Sequence, residues 1–231
     1  MKLAHPLFSS PVCFQENRIP VLVFESPIIF RNMVLEITRA GEEGDGDFAL
    51  SRHDSLLKAE DHIHVFMDFT HLSEVDKRLQ TKAVQALAKS AQEQLAMDIH
   101  QLSLEIRTFL SKLATLSDFP AAYEESENLT ELLKAMDFRV DLASLPPIEA
   151  LYEQICLVHR LSKNQLFVLV NAKTFFSSDE LTSLYKMTTY NKIHLLLMES
   201  HVHEIIKEYE SVTLFDKDLC ELTLENPSDF G

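Results

Sequence analysis

DKRLQTKAVQALAKSAQEQLAMDIHQLSLEIRTFLSKLATL, residues 76–116, is the stretch on which the reading of the fold turns. Its apolar residues fall at Val84, Leu87, Ala88, Ala91, Leu95, Ile99, Leu102, Ile106, Phe109, Leu113 and Leu116. The steps are three and four residues, with a single step of one, which is the spacing of one apolar stripe along a helix. No Gly or Pro intervenes before Pro120. The pattern predicts one uninterrupted helix of about 40 residues, a rod of roughly 60 Å at 1.5 Å per residue. A rod of that length should project from a body of this size. A second stripe lies roughly 130° around it. Arg78, Lys82, Lys89 and Arg107 fall there within about 40° of one another, in a sector shared with Gln85, His100, Ser103 and one acid, Glu93. Such a face is either ordinary solvated surface or a positive track for a polyanion.

Outward from the rod, short apolar runs alternate with helical patterns. Pro20–Glu25, Gln165–Val170 and Ile193–Met198 read as strands buried on both faces, and His62–Phe69 as a further strand. Residues 1–14 suggest two short strands about a turn at Ser9-Ser10-Pro11, and Phe48–Ser51 another. Pro27 opens a helix through about Thr38, followed by a loop at Gly41–Asp47. Ser126–Met136 is predicted to be a helix folding back on the rod and covering its stripe, and Phe138–Asp141 a strand. A helix follows Pro147 to about Leu161, and Ser177 with Glu180 forms a capping box for another at 178–190. Residues 202–209 look helical; 211–215 and 219–224 look like edge strands. The expected fold class is α/β, a mostly parallel sheet covered on both faces. Its head occupies 1–73 and 138–231, and a helical arm, 74–137, is inserted between.

Composition narrows the function. The 231 residues carry a formal charge of −15, so the surface as a whole cannot coat a nucleic acid, although a local basic patch can act within a screening length of ~10 Å. Cys13, Cys156 and Cys220 are odd in number and scattered, as expected of reduced cytoplasmic thiols. No signal-type core or run of 18 apolar residues occurs, so no membrane partner is expected. After the strand Val21–Phe24 comes Glu25-Ser26-Pro27-Ile28, without the glycines a phosphate cradle needs. Asp68 resembles a magnesium-holding strand-end aspartate, but a strand-end aspartate capping a helix is the commoner case and the favoured reading. His62 with His64, and His201 with His203, have spacings that suit a shared metal or ordinary histidines. Asp45 and Asp47 lie in an acidic loop without calcium-loop spacing. Glu124, Glu125, Glu127 and Glu131, with Asp118 upstream, form a denser acidic cluster. Their repulsion is relieved by a hard cation or by another chain's Lys and Arg, or the acids simply favour a helix N-terminus.

The order of these features resembles the small CRISPR-associated adaptation protein of type II-A systems, the Csn2 type. The likeness rests on Pro20–Glu25, the rod, Leu129–Lys134 with Phe138–Asp141, Leu166–Asn171 through Phe176–Leu181, and Ile193–Glu199. It implies an α/β head similar to P-loop kinases without a working phosphate loop, plus a helical leg. It also implies a homotetrameric ring whose basic inner surface holds double-stranded DNA without sequence preference, and calcium ions stabilising the leg. Members act with the integrase proteins and the RNA-guided nuclease of the same system, and no enzymatic activity is expected. Two departures stand out: Ala121 and Ala122 interrupt the acidic segment, and Lys and Arg are few for a DNA ring. On this reading Arg78, Lys82, Lys89 and Arg107 contact DNA, while Glu124, Glu125, Glu127 and Glu131 hold calcium. The competing readings are a degenerate nucleotide kinase or NTPase using Asp68, and a protein-binding scaffold.

Overall fold

A computed structural model describes every residue except 16, 54, 124–127, 163–164 and 225–231. In chain order the elements are β1 (Lys2–Ala4), β2 (Val12–Cys13), β3 (Ile19–Phe24), α1 (Pro27–Glu43), β4 (Ala49–Arg52), β5 (Ser55–Leu57), α2 (Ala59–His62) and β6 (Ile63–Phe66). There follow α3 (Lys77–Gln94), α4 (Ala96–Thr115), α5 (Leu129–Ala135), α6 (Pro147–Leu161), β7 (Leu166–Val170) and α7 (Ala172–Phe175). The chain ends in α8 (Ser178–Tyr190), β8 (His194–Glu199), β9 (Glu210–Phe215) and β10 (Glu221–Leu224). The chain divides into two compact units, one of residues 1–74 and 142–231, the other of residues 75–141.

In the first unit, the described residues form a six-stranded sheet ordered β10-β9-β3-β8-β7-β6. All neighbours pair in parallel except β10, which runs antiparallel to β9. This is the mixed α/β, mostly parallel arrangement expected. The apolar runs of β3 and β7 are buried throughout, because helices on both sides leave neither face to water. Leu22, Phe24, Leu166, Val168, Leu196 and Met198 join α1 residues Met33 and Ile37 in one core. The alternating residues, such as Val23, Phe167 and Leu197, are equally buried and point to the opposite face, where α8 packs. A second sheet, ordered β2-β1-β4-β5 and antiparallel throughout, adds Leu3 and Leu50 to the α1 core.

Several local expectations are corrected. Helix α1 runs on to Glu43 and ends at Gly44, whose φ of 72° supplies the left-handed cap. Gly41, read as loop, is helical, and its missing Cβ lets Ile63 approach: an added Cβ would lie 3.2 Å from the Ile63 carbonyl oxygen. Strand β9 is no edge, since it pairs with both β3 and β10. Residues 138–141 form no strand; Phe138 is exposed and the segment follows Asp137, which has a φ of 49°.

Residues 202–209 are not helical either, because buried side chains capture their backbone. Lys173 Nζ donates to the Glu204 carbonyl oxygen (2.6 Å) and to both carboxylate oxygens of Glu210 (2.8 and 2.7 Å). Glu210 also accepts the Tyr185 hydroxyl (2.8 Å) and the Ile206 amide (2.9 Å). Glu199 is fully buried beside this pair. Its Oε1 accepts the Lys173 amide (3.1 Å), while Oε2 has no hydrogen-bond partner and stands 3.4 Å from His203 Nε2. Burial raises the Glu199 carboxyl to about 7 against the pull of Lys173.

The folded state therefore holds the Glu199 proton more tightly than the unfolded chain between pH 4.5, its ordinary value, and about 7. Stability from this group is present at low pH and falls as pH rises through that window. At about 1.4 kcal/mol per pKa unit, the cost of the charge above pH 7 is roughly 3 kcal/mol. Glu199→Gln keeps an acceptor for the Lys173 amide, so urea unfolding should find it more stable than the parent at pH 8 and near-equal at pH 4. A variant tracking the parent at every pH would contradict this account.

Candidate nucleic-acid interface

The second unit is built on α3, α4 and α5. The predicted single rod is two helices, interrupted at Leu95, whose φ of −123° and ψ of 29° leave helical space. Backbone bonds still bridge the interruption, from the Leu95 amide to Ala91 (2.7 Å) and from the Ile99 amide to Leu95 (3.0 Å). No Gly or Pro marks the break, so sequence offered no signal for it.

At the start of α3 the Asp76 carboxylate accepts the amides of Arg78 (2.8 Å) and Leu79 (3.3 Å), satisfying donors that have no partner within the helix. This fixes the phase of the helix from its first turn. Arg78, Lys82 and Lys89 then share one face within about 40°. All three are exposed, and none has an ion-pair partner among the described residues. Arg107, expected on the same stripe, lies on α4 beyond the break, half-buried and engaged by another group. The structure thus groups three of the four candidate DNA contacts on one helix.

The apolar stripe divides in the same way. On α3, Val84 and Ala88 are buried, and α3 packs against α5. On α4 no residue is buried. Ile99, Leu102 and Ile106 form a shallow groove with Leu129 and Leu132 of α5, but Phe109, Leu113 and Leu116 stay 63%, 51% and 79% exposed. Helix α5 was expected to cover the stripe; with seven residues it spans only about 10 Å, against about 30 Å for α4.

Of the expected calcium ligands, Glu124, Glu125 and Glu127 lie outside the described residues. Glu131 is exposed in the first turn of α5, its amide held by the Asn128 side chain (3.3 Å). The described residues thus supply one carboxylate where calcium takes six to eight oxygens. Among them, one acid–histidine group is close enough to share an ion: His5, Glu36 and Asp47, in the first unit. Sequence spacing could not reveal it, since His5 and Glu36 are 31 residues apart. Its hydrogen bonds favour a clasp. His5 Nδ1 accepts the Leu7 amide (3.1 Å), so Nε2 carries the proton and donates to Glu36 Oε1 (3.2 Å), which also accepts the Asp47 amide (2.8 Å).

The other candidates resolve locally. His62 ends α2 whereas His64 sits in β6, so strand alternation does not put the two on one face. The rings of His201 and His203 are in contact, 4.0 Å between centroids, beside the buried Glu199. The Asp68 carboxylate caps its own turn: Oδ1 accepts the Thr70 amide (2.7 Å) and hydroxyl (2.6 Å), and Oδ2 pairs with His71 (3.0 Å). The Thr70 hydroxyl bond leads the effects that hold this carboxyl down at about 2. Between Phe24 and Pro27 only Glu25 and Ser26 intervene, and the Glu25 amide is bonded to the Phe215 carbonyl (3.0 Å). Two residues leave no length for a loop that wraps a phosphate.

The fold class is thus mixed α/β with a mostly parallel sheet, and a second unit is helical, with a cationic face on α3 and exposed apolar residues on α4. The family model for the CRISPR-associated protein Cas_Csn2 matches residues 42–219. The chain belongs to that family, and its role is CRISPR-associated. It is also similar to a solved ATP-binding cassette, MJ0796 in a dimeric post-hydrolysis state bound to ADP and Pi, with 9% identity and a TM-score of 0.38 over 88% of this chain and 83% of that one. Among the described residues, no helix is long and apolar enough to cross a membrane.

The cap that sets the cationic face is open to test. Asp76→Ala should cost about 1 kcal/mol of helical-unit stability, read as a lower urea midpoint with an unchanged slope. No loss would mean that the Asp76 bonds do not hold the start of α3.

Proposed function

We propose that the protein is a non-enzymatic double-stranded-DNA-binding component of CRISPR spacer acquisition. It works as a homotetrameric ring with the duplex in a basic central hole. The observation that carries this reading is the pairing, in one helical unit, of the exposed cations Arg78, Lys82 and Lys89, without ion-pair partners among the described residues, with the exposed apolar face of α4. Apolar side chains of this size gain about 1.5–3 kcal/mol each when fully covered. A second copy of the same helix supplies a matching stripe. Fourfold repetition would bring the α3 cations of four subunits to one surface, which supports short-range contact with phosphates although each chain carries a formal charge of −15. Arg107 is the proposed α4 contact, and because it is half-buried and already engaged by another group, duplex binding there must displace or share its present partner. Calcium bound by Glu124, Glu125, Glu127 and Glu131 is the proposed stabiliser of the arm, supported by the density of acids there. Family membership supports a cytoplasmic place beside the integrase proteins and RNA-guided nuclease of the same system.

Binding through phosphates is insensitive to sequence and falls steeply with salt. Lys82→Glu with Lys89→Glu should weaken duplex binding at least ~10-fold and flatten the dependence of log affinity on log salt. Fluorescence anisotropy with a labelled duplex across a salt series reads both. An unchanged slope would remove these residues from the interface.

Assembly is tested separately. Phe109→Asp places a charge in the stripe, and light scattering coupled to size exclusion should show a smaller species than the parent. Chelation of calcium should shift the parent in the same direction. A parent that is monomeric with and without calcium rules out the ring.

A further inference from the structure

The first unit holds a cationic cavity that the DNA reading does not use. It has a volume of about 290 Å³ and lies where β3 and β8 begin, at Ile19 and His194. Arg18, Arg52 and Lys192 line it, over a wall that includes Phe14 and Ile193. The described lining residues include three cations and no acid; Glu16, between the lining residues Gln15 and Asn17, lies outside the described residues. None of the three cations has an ion-pair partner among the described residues.

The backbone fixes where each cation enters the cavity, and the Arg18 side chain is also held by hydrogen bonds. Arg18 spends Nη1 on two backbone carbonyls, Lys207 (2.8 Å) and Glu210 (3.0 Å), which orients its guanidinium. Arg52 closes β4, paired with Ser55 across the hairpin. Lys192 occupies a left-handed turn between α8 and β8, with φ 56°. The Thr189 hydroxyl, also lining the cavity, is a buried group without a partner. His194, which also lines the cavity, is affected by one of these cations, Arg52. His194 is held down at about 4, first by burial and then by the N-terminal ammonium, Arg52 and His159.

We propose that this cavity is a binding site for a small phosphate-bearing anion, of nucleoside-monophosphate size or less. Arg18, Arg52 and Lys192 meet the phosphate, and Phe14 and Ile193 back the remainder of the ligand. The volume sits at the lower end of the range of small-molecule sites, roughly 300–1,000 Å³, and is far too small to seat a duplex. A phosphate monoester supplies the charge the cluster lacks and accepts several charged hydrogen bonds at once. The site does not depend on the DNA reading, which uses cations of the other unit.

The test is calorimetric titration of the full chain at fixed ionic strength with inorganic phosphate, adenosine 5′-monophosphate and, as the uncharged control, adenosine. Both phosphates should bind saturably, and adenosine should not. Arg52→Gln and Lys192→Asn, the latter chosen because Asn tolerates a left-handed turn, should each weaken binding roughly 10- to 100-fold. Unchanged thermal midpoints without ligand would show that both variants remain folded, and their duplex affinity should equal the parent's. Absence of saturable binding up to about 10 mM, or variants that bind phosphate as the parent does, overturns the assignment. A parallel loss of duplex affinity overturns it too, because the cations would then serve the nucleic-acid surface.

Discussion

Helix α4 has twenty residues and α5 has seven, and that inequality governs how the helical unit behaves. A helix can be shielded only along the length its partner spans, and α5 reaches the Ile99–Ile106 part of the stripe. Beyond it, Phe109, Leu113 and Leu116 face water along with Phe119. Scattered apolar side chains on a surface need no explanation, but a row at helical spacing is another matter. Leaving it exposed forgoes burial that would stabilise the unit by several kcal/mol. Covering the row would recover that burial, and the proposed ring is a cover that needs no further partner.

Charge follows a similar logic. With 36 acidic and 21 basic residues, long-range attraction to a polyanion is weak or unfavourable. Any anion must therefore be met at short range, by cations that are not already paired. On α3, Arg78, Lys82 and Lys89 are exposed and have no ion-pair partner among the described residues. In the interior of the first unit the opposite holds: Lys173 is spent entirely on Glu210 and the Glu204 carbonyl. The two kinds of lysine are separated by burial, and only the exposed kind can serve a ligand.

Much of this architecture was legible from residues. The apolar runs Pro20–Glu25 and Gln165–Val170 read as strands covered on both sides and fall on β3 and β7, and the Ser177–Glu180 capping box forms as its spacing requires. What escaped detection depends on contacts distant in sequence. Residues 202–209 have a helical apolar pattern, yet Lys173 and Glu210 claim their carbonyl and amide groups. Phe138–Asp141 has strand-like residues but no neighbouring strand to pair with. The interruption at Leu95 carries no Gly or Pro. On the candidate site, the phase of Arg78, Lys82 and Lys89 followed from periodicity within one helix, whereas Arg107 required the phase to survive a break. The cationic cavity was invisible because Arg18, Arg52 and Lys192 come from three separate segments.

The end of β3 shows why the two anion questions are separate. In open parallel sheets, ligands ordinarily bind beyond the carboxyl ends of the strands, where a glycine-rich turn aims amides at phosphate. Here Glu25 and Ser26 lead straight into Pro27, which has no amide to offer. The carboxyl end of β8 is filled by buried Glu199, which repels a phosphate unless it is protonated. The cationic cavity lies at the opposite end, where β3 and β8 begin. An anion bound there would need no phosphate loop: its proposed partners are the side-chain cations Arg18, Arg52 and Lys192.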